Sequence, residues 1–318
     1  MKNALLLLWM LIFTFTAFAQ KAGSLQKAFE VQENDLIPEG IAYDAKSGNF
    51  YVGSINKSKI LRITPRGAVS DFVRSNAWGS WGYLGLEVDP EQQVLWACRY
   101  FPAASADSAG WGGLFKFDLA SGKLIDRYLL PKTDVSHLFN DLLLYEKDVY
   151  ITDSEAGAVL KLNHQTDSLE YVVPAGKLSY ANGITASPNG KELIVATAAG
   201  LVAVNPASGD FAPVGTPGYY IIGVDGLYTY KGALIGMQSI FKPETICKYV
   251  LDASGNKITD IEVLASNQPY FEKITTGAIK DKWLYFIANS YVSELDEEGR
   301  IKDKSRLKNL VVYRLALE

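Results

Sequence analysis

A short sequence pattern recurs along the chain and restricts the folds that it can adopt. Each copy has one variable residue, then usually glycine, then an apolar run, a polar turn and a second apolar run, as in YANGITASPNGKELIVAT at 180–197. The variable residues are Glu39, Leu84, Asn140, Asn182, Asp225 and Thr276. They are spaced by 45, 56, 42, 43 and 51 residues, and repeats of about 40–50 residues are typical of propeller blades.

The segments between these copies contain two further strand-like runs each, so the repeat predicts four antiparallel strands per unit. Six such units make an all-β, six-bladed β-propeller with four-stranded blades. The sixth unit lacks a fourth strand before the chain ends. We expect SLQKAFEV at 24–31 to pair with NLVVYRLAL at 309–317 and supply it, because sharing one blade between the two termini closes the ring and leaves no open edges.

The Asn182-Gly183 pair that opens the fourth unit consists of two poor strand formers. The first strand of each blade lines the axis, where six strands crowd together, and glycine permits a close backbone approach there. Five of the six units carry this glycine, and the third has Asp141 in its place.

The first residues, MKNALLLLWMLIFTFTAFAQ, combine a basic start, an apolar run and a small-x-small motif. This combination predicts a secretory signal over residues 1–19, with the propeller formed by residues 20–318. The alternative is an uncleaved membrane anchor, for which the run is short. We therefore expect an exported protein, periplasmic or secreted, with no membrane span after cleavage.

Two further features of the composition restrict partners and cross-links. Removing residues 1–19 takes away one lysine and changes the net charge from −4 to −5, which argues against nucleic acid as a partner. The two cysteines, Cys98 and Cys247, fall in different predicted blades. We interpret them as buried free thiols, because a disulfide needs Cα atoms within about 7 Å. The oligomeric state is left open.

Oxygen-bearing residues recur at the variable position of the repeat. Rotation about the propeller axis brings all six positions to one place, the mouth of the channel. Glu39, Asn140, Asn182 and Asp225 all carry side-chain oxygens there, Thr276 could add a hydroxyl, and Leu84 adds none. Two carboxylates in a narrow channel repel each other, and a set of oxygen ligands from separate blades suits the loose geometry of calcium. The alternative is a polar channel bridged by water.

The motifs PEGIAYD, FNDLLLYEKDVYITDS, YANGITASPNGKELIVAT and GVDGLYTYKGALIGM, taken in order, resemble the senescence marker protein/gluconolactonase family and the related paraoxonases. The resemblance spans nearly all of residues 20–318. It implies a six-bladed propeller with a catalytic calcium held by Glu39, Asn140, Asn182 and Asp225. It also implies hydrolysis of lactones, esters or phosphotriesters, with Asp225 acting as base or nucleophile.

The sequence departs from this family on the substrate side of the site. Sugar lactonases of the family carry an arginine two residues before the third-unit asparagine, where this chain has Leu138. The histidine pair of paraoxonases falls near Leu84 and Tyr100, so it is absent. Because Leu138 offers no hydrogen bond to a sugar hydroxyl, we expect less polar lactones or esters to be better substrates than gluconolactone.

Substrate-binding candidates near the mouth are Asn140, Leu138 and the aromatic residues Tyr100, Trp81 and Trp111. The alternative for the aromatic residues is that they pack against one another as loop cores. His137 precedes Asn140 by three residues and is a candidate general base, but a lone loop histidine is usually solvated, and we predict that it is.

Two function classes remain. The first is a calcium-dependent hydrolase of a lactone or related ester, with a small-molecule substrate. The second is an exported propeller that binds a ligand or protein without chemistry and keeps calcium as a structural ion. Fold alone does not separate them.

Overall fold

The computed structural model describes residues 25–100, 111–130, 134–216, 218 and 220–318. The predicted signal at 1–19 and most of the loop at 100–113 lie outside the described residues. Within the described residues, no helix has the length and hydropathy needed to cross a membrane.

Twenty-four strands and two short 3₁₀ turns are found in the described residues. Blade one contains β2 Pro38–Tyr43, β3 Phe50–Ser54, β4 Lys59–Ile63 and β5 Val69–Val73. Blade two contains β6 Gly82–Asp89, β7 Val94–Tyr100, β8 Gly112–Asp118 and β9 Leu124–Leu129. Blade three contains β10 Phe139–Tyr145, β11 Asp148–Asp153, β12 Ala158–Asn163 and β13 Ser168–Val173.

The second half of the chain repeats this arrangement. Blade four contains β14 Ile184–Ala186, β15 Leu193–Thr197, β16 Gly200–Val204 and β17 Phe211–Pro213. Blade five contains β18 Val224–Tyr230, β19 Ala233–Gln238, β20 Thr245–Leu251 and β21 Ile258–Ser266. Blade six contains β22 Gly277–Lys280, β23 Trp283–Ile287, β24 Leu310–Ala316 and β1 Leu25–Val31, and its 3₁₀ turns are Val292–Glu294 and Lys304–Arg306.

The strands form six separate four-stranded antiparallel sheets, which confirms the predicted six-bladed propeller. The ring closes as predicted, because β1 pairs with β24 in the order β1-β24-β23-β22. The register of this pair matches Leu25 with Leu315 and Val31 with Leu310. The two termini therefore share blade six, and β1 covers the edge of β24 that would otherwise be open.

Burial decreases from the axis to the rim, as the sequence of each strand requires. The second strands β3 and β15 are buried along their whole length, whereas the outer strand β17 is exposed. Continuous apolar runs such as FYVGS and LIVAT suit strands that are covered on both faces. Six apolar clusters fill the spaces between neighbouring blades, one for each interface.

Cys98 lies in β7 of blade two and Cys247 in β20 of blade five. Both thiols are free and buried. This placement agrees with the blade assignment that the repeat predicted.

Candidate functional site at the mouth of the channel

The first strand of four blades carries an irregularity at the same repeat position. The antiparallel register shifts between Pro38 and Ile41, Tyr83 and Leu86, Phe139 and Leu142, and Val224 and Leu227. The variable residue and its successor therefore lie in a bulge, outside the regular ladder. Bulges re-aim side chains and are frequent beside functional sites. This explains why poor strand formers such as Asn and Gly open these four units.

The glycines that follow the variable residues allow neighbouring blades to touch. A Cβ on Gly40 would lie 1.8 Å from the carbonyl oxygen of Leu84, and one on Gly183 would lie 2.2 Å from that of Asp225. Both oxygens belong to the next blade around the ring, so the predicted close approach is confirmed. Asp141 replaces the glycine in blade three and accepts a hydrogen bond from Ile184 N, in blade four, at 3.4 Å.

The first strands of all six blades line a central cavity of about 240 Å³. Its wall includes Ile41, Asp141, Ile184 and Leu227. Each of these residues lies one or two positions after one of the four predicted metal ligands. The four candidate ligands therefore lie at the end of the channel where the first strands begin, and metal binding by them stays a prediction.

Hydrogen bonds connect three of these four residues across blades three, four and five. Asn140 Nδ2 donates to Ser154 Oγ at 2.8 Å, and Ser154 Oγ donates to the carbonyl of Ala181. The side chain of the next residue, Asn182, donates to the carboxylate of Asp225. Because both amide nitrogens have a partner, each asparagine keeps its Oδ1 as the atom that can bind a cation.

Glu39 supplies the fourth side chain, from blade one. It is 5% exposed, and its Oε2 is buried without a hydrogen-bond partner. Its backbone carbonyl accepts hydrogen bonds from the hydroxyls of Thr275, at 3.0 Å, and Thr276. These two threonines fix the position of Glu39 but leave its carboxylate without a donor.

The two carboxylates of the mouth are electrostatically strained in the protein alone. Burial raises the pKa of Glu39 well above its usual range, and the charges of Asp225 and Asp141 raise it further. Burial also raises the pKa of Asp225, although Lys273, Ser239 and Asn182 oppose this. In the protein alone, burial therefore favours the protonated form of both carboxyl groups.

These residues fit a divalent cation of the calcium type. The set offers two carboxylates and two amide oxygens, and hard cations prefer oxygen ligands. One of these oxygens, Glu39 Oε2, is buried and accepts no hydrogen bond. Clusters of three or more His, Cys, Asp or Glu side chains suited to a metal are not found among the described residues. The candidate site depends on the amides for that reason.

Deeper in the channel, two more acidic groups face the cavity. Burial raises the pKa of Glu87 to about 8 and that of Asp141 to about 7. Both groups therefore bind protons more tightly than free carboxylates do.

Sequence analysis missed three residues of the mouth. Ser154 and Ser239 each follow the second strand of a blade and support a predicted ligand, because Ser239 Oγ donates to Asp225 Oδ2 at 3.2 Å. A serine stands at this position in blades three and five, as Ser154 and Ser239, and that recurrence could have indicated them. The third is Lys273, whose charge acts on both Glu39 and Asp225.

The prediction that His137 is solvated is wrong. The residue is 2% exposed, and its Nδ1 lies 2.6 Å from Asp153 Oδ2. Asp153 Oδ1 accepts from the backbone N–H groups of Leu138 and Ala156 at 2.9 and 3.1 Å. The buried carboxylate at the end of β11 holds the histidine inside, a contact that the sequence of the loop alone does not show.

The substrate-side candidates fall into two groups. Leu138 is 9% exposed and packs with Leu84 and Tyr100 between blades two and three. Trp81 and Trp111 pack together, with ring centroids 6.0 Å apart, and line a different pocket with Trp78. The structure thus places Trp81 and Trp111 in a packed loop cluster. Contact of either group with a substrate stays a prediction.

Arg99 holds this aromatic loop in place. Its guanidinium donates to the backbone carbonyls of Trp78, Gly79 and Trp81 at 2.7–3.0 Å. It lies 4.2 Å from the centre of the Tyr83 ring. These three hydrogen bonds and the contact of the cation with an aromatic face give the loop a fixed shape.

No family model matches the chain, and no curated protein matches its sequence. Its structure is similar to that of a gluconolactonase from Xanthomonas campestris, with 16% identity over 96% of this chain and 94% of that chain and a TM-score of 0.62. It is also similar to regucalcin, a calcium-binding protein from Agrobacterium tumefaciens, with 15% identity over 91% and 93% and a TM-score of 0.61. The PQQ-bound aldose sugar dehydrogenase from Streptomyces coelicolor gives 14% identity over 93% and 99% and a TM-score of 0.61.

The chain shares the propeller fold of these proteins. The neighbours include a gluconolactonase and regucalcin, in line with the family resemblance of the motifs, and the relation to paraoxonases stays a prediction. At these identities the similarity establishes the fold alone. A dehydrogenase with the same fold shows that the chemistry has to be argued from the site.

Proposed function

We propose that this protein is a calcium-dependent hydrolase of a lactone or related ester, with its active site at the mouth of the channel. The observation that carries the proposal is the buried, unpartnered carboxylate oxygen of Glu39 beside Asp225 and the two directed amides. The gluconolactonase and the calcium-binding protein among the structural neighbours support it.

Glu39, Asn140, Asn182 and Asp225 would hold the ion. When bound, calcium supplies Lewis-acid polarisation of the scissile carbonyl. Asn182 and Ser239 donate to Asp225 and fix the orientation of its carboxylate. Asp225 accepts a proton from the attacking water and returns it to the leaving oxygen when the carbon–oxygen bond breaks. A lactone gives a hydroxy acid, and an ester gives an acid and an alcohol.

A screen of lactones and aryl esters, with calcium and with chelator, tests this function. We expect hydrolysis that the chelator abolishes and that added calcium restores. Asp225→Asn removes the proton acceptor, and Asp118→Asn, at the end of β8 in blade two and remote from the mouth residues, is the matched control. Hydrolysis that is insensitive to chelator, or a fully active Asp225→Asn variant, contradicts the proposal.

The second candidate function is a non-catalytic binding propeller with a structural calcium. It is favoured by the burial of Leu138 in an apolar cluster at the position of the sugar lactonase arginine. In that case calcium raises the melting temperature, and every substrate of the screen is left unchanged.

A further inference from the structure

Lys273 lies on the loop between β21 and β22, three residues before Thr276. Its backbone is left-handed, with φ of 62°, a conformation that is uncommon outside glycine. Glu244 holds the turn, since it accepts hydrogen bonds from the N–H groups of Lys273 and Ile274 at 2.9 and 3.0 Å. Glu244 is only 2% exposed, so the loop is anchored in the protein interior.

The side chain of Lys273 extends toward the mouth of the channel. Its Nζ donates to the backbone carbonyl of Ser239 at 3.3 Å. The hydroxyl of the same serine donates to Asp225 Oδ2 at 3.2 Å. One residue therefore contacts both the ammonium and the carboxylate proposed as the proton acceptor.

The ammonium of Lys273 forms no direct ion pair with a carboxylate of the described residues, although its charge lowers the pKa of Glu39 and of Asp225. Among the described residues, no carboxylate lies within the 4.0 Å of an ion pair with it. Glu244 instead pairs through its side chain with Lys242 Nζ, at 2.6 Å. The buried Lys59 illustrates the usual arrangement, because its ammonium pairs with Glu33 and Asp71. An ammonium has three donors, and the contact with Ser239 uses one.

The positive charge at Lys273 is complementary to an anion. In the proposed function a divalent cation balances the carboxylates of Glu39 and Asp225, and the ammonium of Lys273 adds a further positive charge. The carboxyl of Asp141, whose pKa burial raises to about 7, lies deeper in the channel. Tyr100, which is partly exposed, offers an apolar surface beside the buried cluster between blades two and three. A ligand with both an acidic group and an apolar part matches these two surfaces.

We propose that Lys273 is a specificity-determining residue, and that its ammonium binds a carboxylate carried by the substrate. This inference rests on the proposed function and narrows its substrate class to lactones and esters that bear an acidic group. Charge-assisted hydrogen bonds of this kind are among the stronger polar contacts in proteins.

The test compares two esters with the same leaving group and chain length. Mono-4-nitrophenyl adipate carries a terminal carboxylate, and 4-nitrophenyl hexanoate carries a methyl group instead. With calcium present, we expect wild type to have the lower KM for the adipate ester. Lys273→Met raises that KM about tenfold or more and leaves the hexanoate KM within about twofold. Lys273→Arg keeps the preference, and Lys248→Met, which removes a lysine charge from β20 of blade five, behaves as wild type.

A binding measurement separates this inference from the proposed function. Calorimetry compares two unreactive amides, adipic acid monomethylamide and N-methylhexanamide, with wild type and Lys273→Met. If neither ester is hydrolysed but the acidic amide binds only when Lys273 is present, the hydrolase proposal fails and the anion site stands. The inference about Lys273 is overturned if wild type hydrolyses both esters with the same KM. It is also overturned if Lys273→Met weakens the binding of both amides equally. Lys273→Gln provides a second uncharged variant, and thermal melting confirms that each variant is folded.

Discussion

Replacement of Gly183 by alanine tests the contact between blades four and five at the site. The new Cβ would lie 2.2 Å from Asp225 O and 2.9 Å from Leu227 N, and ordinary contact begins near 3.4 Å. Both neighbours are backbone atoms, so relief requires the two blades to separate by roughly 1 Å. Overpacking of this kind costs about 1–3 kcal/mol. At about 2 °C per kcal/mol for a large domain, we expect the melting temperature to fall by about 2–6 °C.

The same substitution separates Asn182 from Asp225, so we also expect weaker calcium binding. Thermal melts with and without calcium measure both effects. Gly215→Ala is the control, because the nearest atom to a Cβ there is 3.5 Å away, and we expect it to melt within about 1 °C of wild type. The reasoning is refuted if Gly183→Ala melts like the control and gains as much stability from calcium as wild type.

Three further predictions concern activity and pH. Asp225→Asn should lower turnover by about 100-fold or more, while circular dichroism shows an intact fold. If the variant keeps full turnover, Asp225 takes no part in the chemistry. Leu138 should make gluconolactone a poorer substrate than less polar lactones, and a clear preference for gluconolactone in parallel assays would be against this. Burial raises the pKa of Glu87 to about 8, so the folded state holds a proton that the unfolded state has lost, and stability decreases as pH rises from about 4.5 to 8. Glu87→Gln should therefore raise the free energy of unfolding at pH 8, on the order of 4 kcal/mol, with little change at pH 4. Equal gains at both pH values would show that the charge is not the cause.

The repeat made most of the fold predictable. A pattern with a fixed period places equivalent residues by rotation, so the blades, the shared sixth blade and the position of the four oxygen-bearing residues followed from spacing alone. The glycines after the variable residues were also predictable, because the crowding of first strands at the axis requires a close backbone approach. Gly40, for example, abuts the carbonyl of Leu84.

The supporting contacts were less predictable because they join segments distant in sequence. The bulge at Glu39 and Gly40 is a property of the paired strand as well as of the first strand. Lys273 reaches the site because Glu244, 29 residues earlier, holds its turn. His137 was wrongly expected in solvent, because its partner Asp153 comes from the next strand.

Calcium binding to the metal-free protein tests the central claim most directly. Calorimetric titration of wild type should give one calcium per chain, and binding should raise the melting temperature, because the unfolded chain cannot assemble ligands from four blades. Glu39→Gln removes the unpartnered carboxylate and should abolish or greatly weaken this binding while the metal-free protein stays folded. Absence of binding to wild type, or unchanged binding to Glu39→Gln, contradicts the account.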